Sequence, residues 1–250
     1  MSPTLQDAGA LRDEIRATYR DVARDPGGDF DFETGRPLAE RLGYPAEWLD
    51  AVGSERLARF AGVGHFLDLA EIEPRATVLD LGSGSGTDAC IAAHLTGPGG
   101  SVIGVDMTDA QLTSARRHAP ANVEFVEGLI EAPPVDSDSV DVVIANGAIN
   151  LAPDKQAVFD AAAWALRPGG RLAFAVVVCE LQLPERTRSD PELWSACIAG
   201  AVPLAQCLQA VEAAGLHTQT VRTNTGYAPR AQATAERYGV TSVSVLALKA

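Results

Sequence analysis

The feature that most constrains this chain is a glycine-rich turn directly after a short apolar run. Residues 78–86 read VLDLGSGSG, and Asp106 closes a second apolar run twenty residues after Gly86. This pattern predicts a strand, a tight turn, a helix and a second strand that ends in a carboxylate. That order is typical of a nucleoside-binding site at the carboxyl edge of a doubly wound α/β sheet.

The residues around the turn indicate which ligand it binds. A dinucleotide motif, G-x-G-x-x-G, would need a third glycine where this chain has Thr87. Asp80 stands just before the turn, where its charge suits a ligand with an ammonium group and would repel a pyrophosphate. Asp106 lies where it can accept hydrogen bonds from both ribose hydroxyls. S-adenosylmethionine has an ammonium group and a ribose but no phosphate, so we predict it as the cofactor, ahead of NAD or a ligand-free packing turn.

The rest of the chain predicts an α/β fold. Apolar runs alternate with helical periodicity, and the early runs are nearly continuous, as in parallel strands covered on both faces. We expect a Rossmann-like, doubly wound, mostly parallel seven-stranded sheet, with one of the last two strands antiparallel. The predicted strands are 77–81, 101–105, 123–126, 140–145, 171–178, 217–223 and 240–249. The helix over 108–118 is expected to begin with a capping box between Thr108 and Gln111.

The first 75 residues predict a helical cap on this core, within a single domain over residues 1–250. Helical spacing and turn residues predict helices over 4–24, 36–42, 46–52 and 54–70, the last with Ser54 as its N-cap. The acidic loop over 25–36, with Pro26 and two glycines at its start, is expected to order over bound cofactor and exclude water.

Composition excludes several classes of partner. The net charge is −13 and no basic run occurs, which argues against nucleic acid. The four cysteines form no C-x-x-C pair, so we expect neither a metal site nor a disulfide framework. No apolar stretch reaches 18 residues, so we expect no membrane partner and a cytoplasmic protein. The oligomeric state stays open.

The chain resembles the class I S-adenosylmethionine-dependent methyltransferases, and within them the arsenite methyltransferase branch. The resemblance covers about residues 10–250. It rests on VLDLGSGSG at 78–86, GVDMT at 104–108, IANGAINLAPD at 144–154, RPGGRL at 167–172 and CIAGA at 197–201. The first and fourth segments occur across the superfamily, whereas the other three are more specific to the arsenite branch.

The resemblance implies a role for particular residues. Asp106 would hold the ribose, Met107 would pack on the adenine, and Leu129 and Ile130 would meet the adenine edge. Leu129 stands where the family often has an acidic residue, and Glu131 is available to replace it. The remaining cofactor residues implied are Asp80, Gly82, Ser83, Gly84 and Gly86 at the turn, Tyr19 as a cover, and Asn146 at the reactive end.

The family binds trivalent arsenic through cysteines, and this chain departs from that pattern. The N-terminal loop has no cysteine, the family's Gly-Cys-Gly turn aligns with residues 62–64 (GVG), and its Asn-Cys dipeptide aligns with Asn146-Gly147. Only Cys197 remains, and soft arsenic needs several thiolates. Cys197 is therefore a remaining ligand, a pocket thiol or an ordinary buried cysteine.

The predicted function is methyl transfer from S-adenosylmethionine to a small-molecule acceptor, in bacterial secondary metabolism. His65, Asn146 and Cys197 are the candidate catalytic residues, with His65 either a base or a packing residue. Three alternatives stay open: arsenite methylation, intramolecular cyclisation of S-adenosylmethionine without an acceptor, and a non-catalytic cofactor-binding protein.

Overall fold

The computed structural model describes residues 5–250 and contains one eight-stranded sheet. Its strands are β1 Thr77–Leu81, β2 Ser101–Asp106, β3 Val123–Glu127, β4 Val140–Asn146, β5 Leu166–Cys179, β6 Val202–Pro203, β7 Leu216–Thr223 and β8 Thr241–Lys249. The order is β3-β2-β1-β4-β5-β8-β7, with β6 paired to β5. The order reverses between β1 and β4, which is where doubly wound sheets bind ligands.

The predicted Rossmann-like sheet is confirmed, with small differences in its strands. β8 is the antiparallel strand, paired to β5 and β7. The eighth strand, β6, has two residues and is too short to leave a periodic signal. β5 starts before the predicted position, because Leu166 already pairs with Val140 and the register then shifts around the turn at Gly169.

Helices cover both faces of the sheet. They are α1 Leu5–Arg24, α2 Arg36–Arg41, α3 Ala46–Val52, α4 Ser54–Leu57, α5 Leu67–Ala70, α6 Thr87–Thr96, α7 Asp109–Arg116, α8 Ala148–Leu151, α9 Lys155–Ala165, α10 Glu185–Arg188, α11 Pro191–Ser195, α12 Leu204–Ala213 and α13 Gln232–Tyr238. Residue 4, where the predicted first helix begins, lies outside the described residues. Of the helices described, none combines the length and apolar character needed to cross a bilayer.

The predicted continuous helix over 54–70 is wrong. The chain forms α4, leaves helical geometry, and resumes at α5, while the N-cap of α4 is Gly53 rather than Ser54. The interruption contains Gly62 and Gly64, whose backbones pack against other side chains. A β-carbon on Gly62 would lie 2.5 Å from the Asn146 amide nitrogen, and one on Gly64 would overlap Asn224. Tertiary packing therefore replaces the helix with a close-fitting turn.

The predicted capping box of α7 is also wrong. Thr108 is the N-cap, but its side chain makes no capping hydrogen bond. Gln111 instead donates through Nε2 to the backbone carbonyl of Tyr19 at 3.0 Å. The amide therefore ties α7 to the first helix rather than to its own N-terminus.

The N-terminal helices share a hydrophobic core with the sheet. Leu49, Leu57 and Phe66 are buried in the same cluster as Val78 and Ile91. A second cluster fills the other face, around β4, β5 and α9. This packing places the segment between α4 and α5 directly over the carboxyl ends of the central strands.

Candidate functional site

A cleft of about 950 Å³, counted with the solvent at its mouth, lies beyond the carboxyl ends of β1, β2 and β4. Its size is within the range of small-molecule sites. The predicted residues among its lining are Tyr19, Gly82, Ser83, Gly84, Asp106, Met107, Leu129, Ile130 and Asn146. The structure therefore brings together most of the residues that the sequence assigned to the cofactor.

The glycine turn forms the floor of this cleft. Gly82 has φ +76°, and a β-carbon there would overlap that of Ala148. Glycine is therefore required at Gly82 both for its backbone conformation and for the close approach. Gly86 has a different role, because a β-carbon there would overlap the Phe125 ring and Gly86 does not line the cleft.

Asp106 is held in place by backbone groups at the end of β2. Its two carboxylate oxygens accept hydrogen bonds from the N–H groups of Gly84 (2.9 Å) and Thr108 (2.8 Å). Burial raises the pKa of Asp106, and these N–H groups partly oppose the rise. Each oxygen keeps a second lone pair, so the carboxylate can accept further hydrogen bonds from a ribose.

Several buried polar atoms at the cleft have no partner in the described part of the chain. They are the Ser83 and Thr87 hydroxyl oxygens and the Gln111 amide oxygen, which line the cleft, and Asp80 Oδ2 behind it. Buried polar groups are rarely left unpaired. Two arginines line the cleft, but Arg12 pairs with Glu131 at 2.9 Å and Arg59 donates to Ala23 O at 2.7 Å. The Gln111 and Asp80 oxygens accept and the two hydroxyls can accept or donate, so the free groups fit a ligand that offers hydrogen-bond donors.

Asp80 is only 2% exposed and does not itself line the cleft. Burial, followed by the charges of Asp88 and Asp106, raises the pKa of Asp80 well above its ordinary value. A cation nearby would reverse this effect, because it favours the carboxylate. The position of Asp80 is thus consistent with the ammonium group of S-adenosylmethionine.

The predicted adenine side of the cleft is closed by α1. Met107, Leu129 and Ile130 line it, and Arg16 donates through Nε to the Met107 carbonyl at 3.3 Å. Glu131 lines the cleft as well, but its carboxylate accepts from Arg12 of α1. In this structure Glu131 therefore holds the first helix in place.

A smaller chamber of about 430 Å³, also counted with its open mouth, adjoins the cleft. We call it the inner chamber. Tyr19, Ala61 and Gly62 line both spaces. The other walls of the inner chamber are apolar at Phe32, Leu38, Val63, Cys197, Ile198 and Tyr227 and charged at Asp31, Glu33 and Arg230.

Tyr19 stands at the junction of the two spaces. Its hydroxyl donates to the Ser195 carbonyl at 3.3 Å, and its ring stacks on Phe32 with centroids 5.6 Å apart. Phe32 belongs to the acidic loop over 25–36. The stacking therefore connects that loop to the residue that covers both spaces.

The three positions that align with family cysteines meet in one wall between the two spaces, because Gly147 lines the cleft while Val63 and Cys197 line the inner chamber. A β-carbon on Gly147 would lie 3.3 Å from Val63 Cγ1 and 3.5 Å from Cys197 Sγ. Cys197 is buried, and burial raises the pKa of its thiol to about 12. Cys197 also has φ +64°, an uncommon backbone conformation for this residue type. The described residues contain no cluster of three or more histidine, cysteine or acidic side chains placed to hold a metal.

His65, a candidate base, lines neither the cleft nor the inner chamber. Its ring packs against Tyr44 and Trp48, with centroid distances of 4.7 and 5.7 Å. Burial lowers the pKa of His65, and its Nδ1 lies 3.7 Å from Asp68. This position favours the packing role that the sequence left open.

Asn146 lines the cleft, but its amide is already hydrogen-bonded to other groups of the protein. Its oxygen accepts from the Val63 N–H at 2.8 Å, and its nitrogen donates to Asp88 and Tyr44, each at 3.0 Å. The sequence pointed to neither Asp88, which lines the cleft, nor Tyr44, which supports Asn146 from behind it. Asp88 follows the glycine turn by two positions, and that spacing is the one signal that could have pointed to it.

Comparisons with known proteins agree with this geometry. Residues 72–232 match the family described as "Methyltransferase domain". An arsenite methyltransferase of Halobacterium salinarum is 44% identical over 185 residues, which cover 72% of this chain and 47% of that protein. The human arsenite methyltransferase is 36% identical over 182 residues, covering 68% of this chain and 47% of that protein. The chain thus spans about half the length of these curated relatives.

A solved structure shares the fold. The crystal structure of an arsenic(III) S-adenosylmethionine methyltransferase from Chlamydomonas reinhardtii superposes with a TM-score of 0.64 at 32% identity. The match covers 86% of this chain and 73% of that one. The cleft, the glycine turn and these likenesses together show that the chain belongs to the methyltransferase domain family, with the class I fold and S-adenosylmethionine as its cofactor.

Proposed function

We propose that this chain catalyses methyl transfer from S-adenosylmethionine to a small organic acceptor bound in the inner chamber. One observation carries the proposal: the inner chamber adjoins the cofactor cleft and shares Tyr19, Ala61 and Gly62 with it. A transfer reaction needs two binding spaces that meet, because its rate depends on holding the two reacting groups close and aligned.

Bound S-adenosylmethionine supplies a methyl group attached to a positively charged sulfur. Asp106 would hold the ribose and Asp80 would stabilise the ammonium group, while Tyr19 and α1 exclude water from above. Burial raises the pKa of Tyr19, Cys197 and Tyr227 and keeps all three protonated at neutral pH. Asp31 and Glu33 are then the lining side chains that could accept a proton from the acceptor, and an acceptor that is already nucleophilic needs neither.

The same proposal covers the organisation of the chain. Residues 1–75 would act as a cap on one domain that continues to residue 250, because α1 contacts α7 through Gln111 and the cleft through Tyr19. We also propose a cytoplasmic location, supported by four buried cysteines that are free in the described chain.

Arsenite methylation is the second candidate. It is supported by the similarity to arsenite methyltransferases and by the position of Cys197, where the cysteine-aligned positions meet. Two features weigh against it. Val63 and Gly147 provide no thiol, and the pKa of about 12 keeps Cys197 largely protonated, whereas the thiolate is the form that binds metals.

Cyclisation of S-adenosylmethionine without an acceptor is the third candidate. Such a reaction needs a sealed cleft that leaves no room for a second molecule. The inner chamber is a second space beside the cleft, and its apolar walls are the feature that favours an organic acceptor there. This arrangement favours transfer over cyclisation.

The test uses S-adenosylmethionine with a trideuterated methyl group. The purified chain is incubated with this probe and a library of small organic thiols, amines, phenols and enols, and separately with arsenite and a thiol. We expect S-adenosylhomocysteine and an organic product heavier by the labelled methyl group, with both formed more slowly by an Asp106→Ala variant at limiting cofactor. Labelled methylarsenic would establish the second candidate, and a cyclic product without acceptor the third. Tight cofactor binding without any product would overturn catalysis.

A further inference from the structure

A short turn separates the cofactor cleft from the inner chamber. We call residues 62–64 the partition turn. Gly62 lines both spaces, and Val63 lines the inner chamber. The turn sits where a helix was predicted, so its backbone N–H and carbonyl groups lack helical partners. Other groups must satisfy them.

The Asn146 side chain, at the end of β4, meets this need. Its amide oxygen accepts from the N–H of Val63 at 2.8 Å and from that of Gly64 at 3.4 Å. Its amide nitrogen also lies 3.1 Å from the Gly64 carbonyl, which shares the two amide hydrogens with Asp88 and Tyr44. One side chain thus holds three backbone groups of the partition turn.

Two further side chains hold Asn146 itself. Asp88 accepts from the Asn146 amide nitrogen at 3.0 Å through one oxygen and from the Tyr44 hydroxyl at 2.7 Å through the other. The Tyr44 hydroxyl also accepts from Asn146 at 3.0 Å. Asp88 and Tyr44 are buried. The three side chains close a hydrogen-bonded ring that fixes the plane and orientation of the amide.

The chain just after the turn is anchored to β7 and β8 rather than to β4. The His65 carbonyl accepts from Arg222 at 2.7 Å and lies 2.8 Å from Ser244 Oγ, whose one hydrogen it shares with Asn224 Oδ1. Asn224 packs directly on Gly64 and hydrogen bonds to Ser242 and Ser244, each at 2.8 Å. β4 therefore positions the turn from one side, and β7 and β8 position it from the other.

We propose that Asn146, Asp88 and Tyr44 form a positioning network that sets the opening between the cofactor cleft and the inner chamber. The proposal rests on the function proposed above, since it assigns these residues a part in aligning acceptor and cofactor. None of the three transfers a proton or a methyl group in this scheme. They act through the partition turn, and Asn146 is a positioning residue rather than a catalytic one.

The physical basis is the cost of unpaired groups in a buried network. Removing the Asn146 amide leaves the Val63 N–H without its partner and the Asp88 carboxylate with Tyr44 alone, and such losses in buried networks exceed those of single exposed hydrogen bonds. The backbone groups of the partition turn would then hydrogen bond to water instead. Gly62 and Val63 would shift together. The opening between the two spaces would then widen or close.

The chain offers a matched control in Asn150. It lies four residues later on α8 and is also buried, with its amide bonded to the Val177 carbonyl (2.7 Å) and N–H (2.8 Å). These hydrogen bonds connect α8 to β5, and the Asn150 side chain makes none to the partition turn. Asn150→Ala therefore removes the same kind of side chain without touching residues 62–64.

The experiment is amide hydrogen exchange of the full chain, read by mass spectrometry on peptides covering residues 60–66. For Asn146→Ala we expect exchange at Val63 to accelerate at least tenfold, with a smaller acceleration for Tyr44→Phe. Asn150→Ala should leave this segment unchanged. Urea unfolding of each variant separates global loss of stability from local opening. If Asn146→Ala does not fold, Asn146→Ser and Tyr44→Phe provide the same comparison.

Equal exchange in Asn146→Ala and Asn150→Ala, at matched stability, would overturn the network. Calorimetric titration with S-adenosylmethionine on the same samples keeps the two proposals apart. Failure of the wild-type chain to bind the cofactor would contradict the proposed function, whereas normal binding with an unmoved partition turn would contradict only the network.

Discussion

The Cys197 thiol lies 3.5 Å from the carbonyl oxygen of Gly147, and a β-carbon on Gly147 would lie equally close to that sulfur. Val63 completes the contact, with Cγ1 3.3 Å from the same β-carbon position. Residues distant in sequence therefore meet in one wall between the cleft and the inner chamber. Their side chains make that wall apolar except for one neutral thiol.

The first prediction concerns this wall. Val63→Cys combined with Gly147→Cys would bring three thiols within contact of one another, and soft trivalent arsenic binds more tightly as thiolate ligands are added. We expect arsenite affinity to rise by roughly 100-fold or more over the wild-type chain, allowing about 1 kcal/mol of backbone strain for a side chain at the Gly147 φ of +74°. Calorimetric titration with arsenite in the presence of a reductant measures it.

Adding Cys197→Ser to that double variant is the control, and it should remove most of the gain. An unchanged arsenite affinity in the double variant would mean that the three positions do not form one site. The wild-type chain should bind arsenite weakly, through a single thiol.

The second prediction concerns Asp106. Replacing it by alanine should weaken S-adenosylmethionine binding by about 1–3 kcal/mol, because the ribose hydrogen bonds and the anchors of Gly84 and Thr108 are lost together. Isothermal titration measures the affinity. Asp109→Ala, at an exposed position in the first turn of α7, is the control and should bind normally. Unchanged affinity in Asp106→Ala would mean that the ribose is placed wrongly.

The third prediction concerns pH and Asp88. Burial raises the pKa of Asp88 to about 6 from the ordinary 3.8, and hydrogen bonds from Tyr44 and Asn146 partly oppose this. The folded chain therefore holds the proton more tightly than the unfolded chain. The resulting stability is present in full below pH 3.8 and is lost as the pH rises through 6.

We expect the free energy of unfolding of the cofactor-free chain to fall by an amount on the order of 3 kcal/mol between about pH 4 and pH 7 from Asp88. Asp80, whose pKa is also raised, contributes in the same direction. Urea unfolding at several pH values measures the slope, which Asp88→Asn should flatten and the exposed control Asp136→Asn should not. The same slope in Asp88→Asn and wild type would contradict the assignment.

The fourth prediction concerns the loop over 25–36. Phe32 of this loop stacks on Tyr19, which lines the cofactor cleft. A bound cofactor should therefore reduce the mobility of both rings. Limited proteolysis should cut the loop several-fold more slowly with saturating S-adenosylmethionine than without it. Cleavage around residues 180–190, away from the cleft, is the internal reference. Equal cutting in both states would rule out the lid.

The sequence predicted the site best where the signal is local. The glycine turn and Asp106 lie within one β-α-β unit, so the spacing of a few residues already places them at the same edge of the sheet. The same locality explains why strands β1 to β5 could be predicted, because their apolar runs are long enough to show their periodicity. It also explains the error over 54–70, where helical spacing alone could not reveal that Gly62 and Gly64 pack against Asn146 and Asn224.

By itself the sequence determined the class of fold and the cofactor, because backbone conformation at glycines and alternation of apolar runs depend on near neighbours. Only the tertiary structure decided what Asn146, His65 and Cys197 do. Asn146 is engaged by the partition turn, His65 lies outside both spaces, and Cys197 faces Gly147 and Val63. The Cys197–Gly147 and Asn146–Val63 hydrogen bonds join residues 50 and 83 positions apart. No local pattern encodes them, because packing of whole elements brings them together.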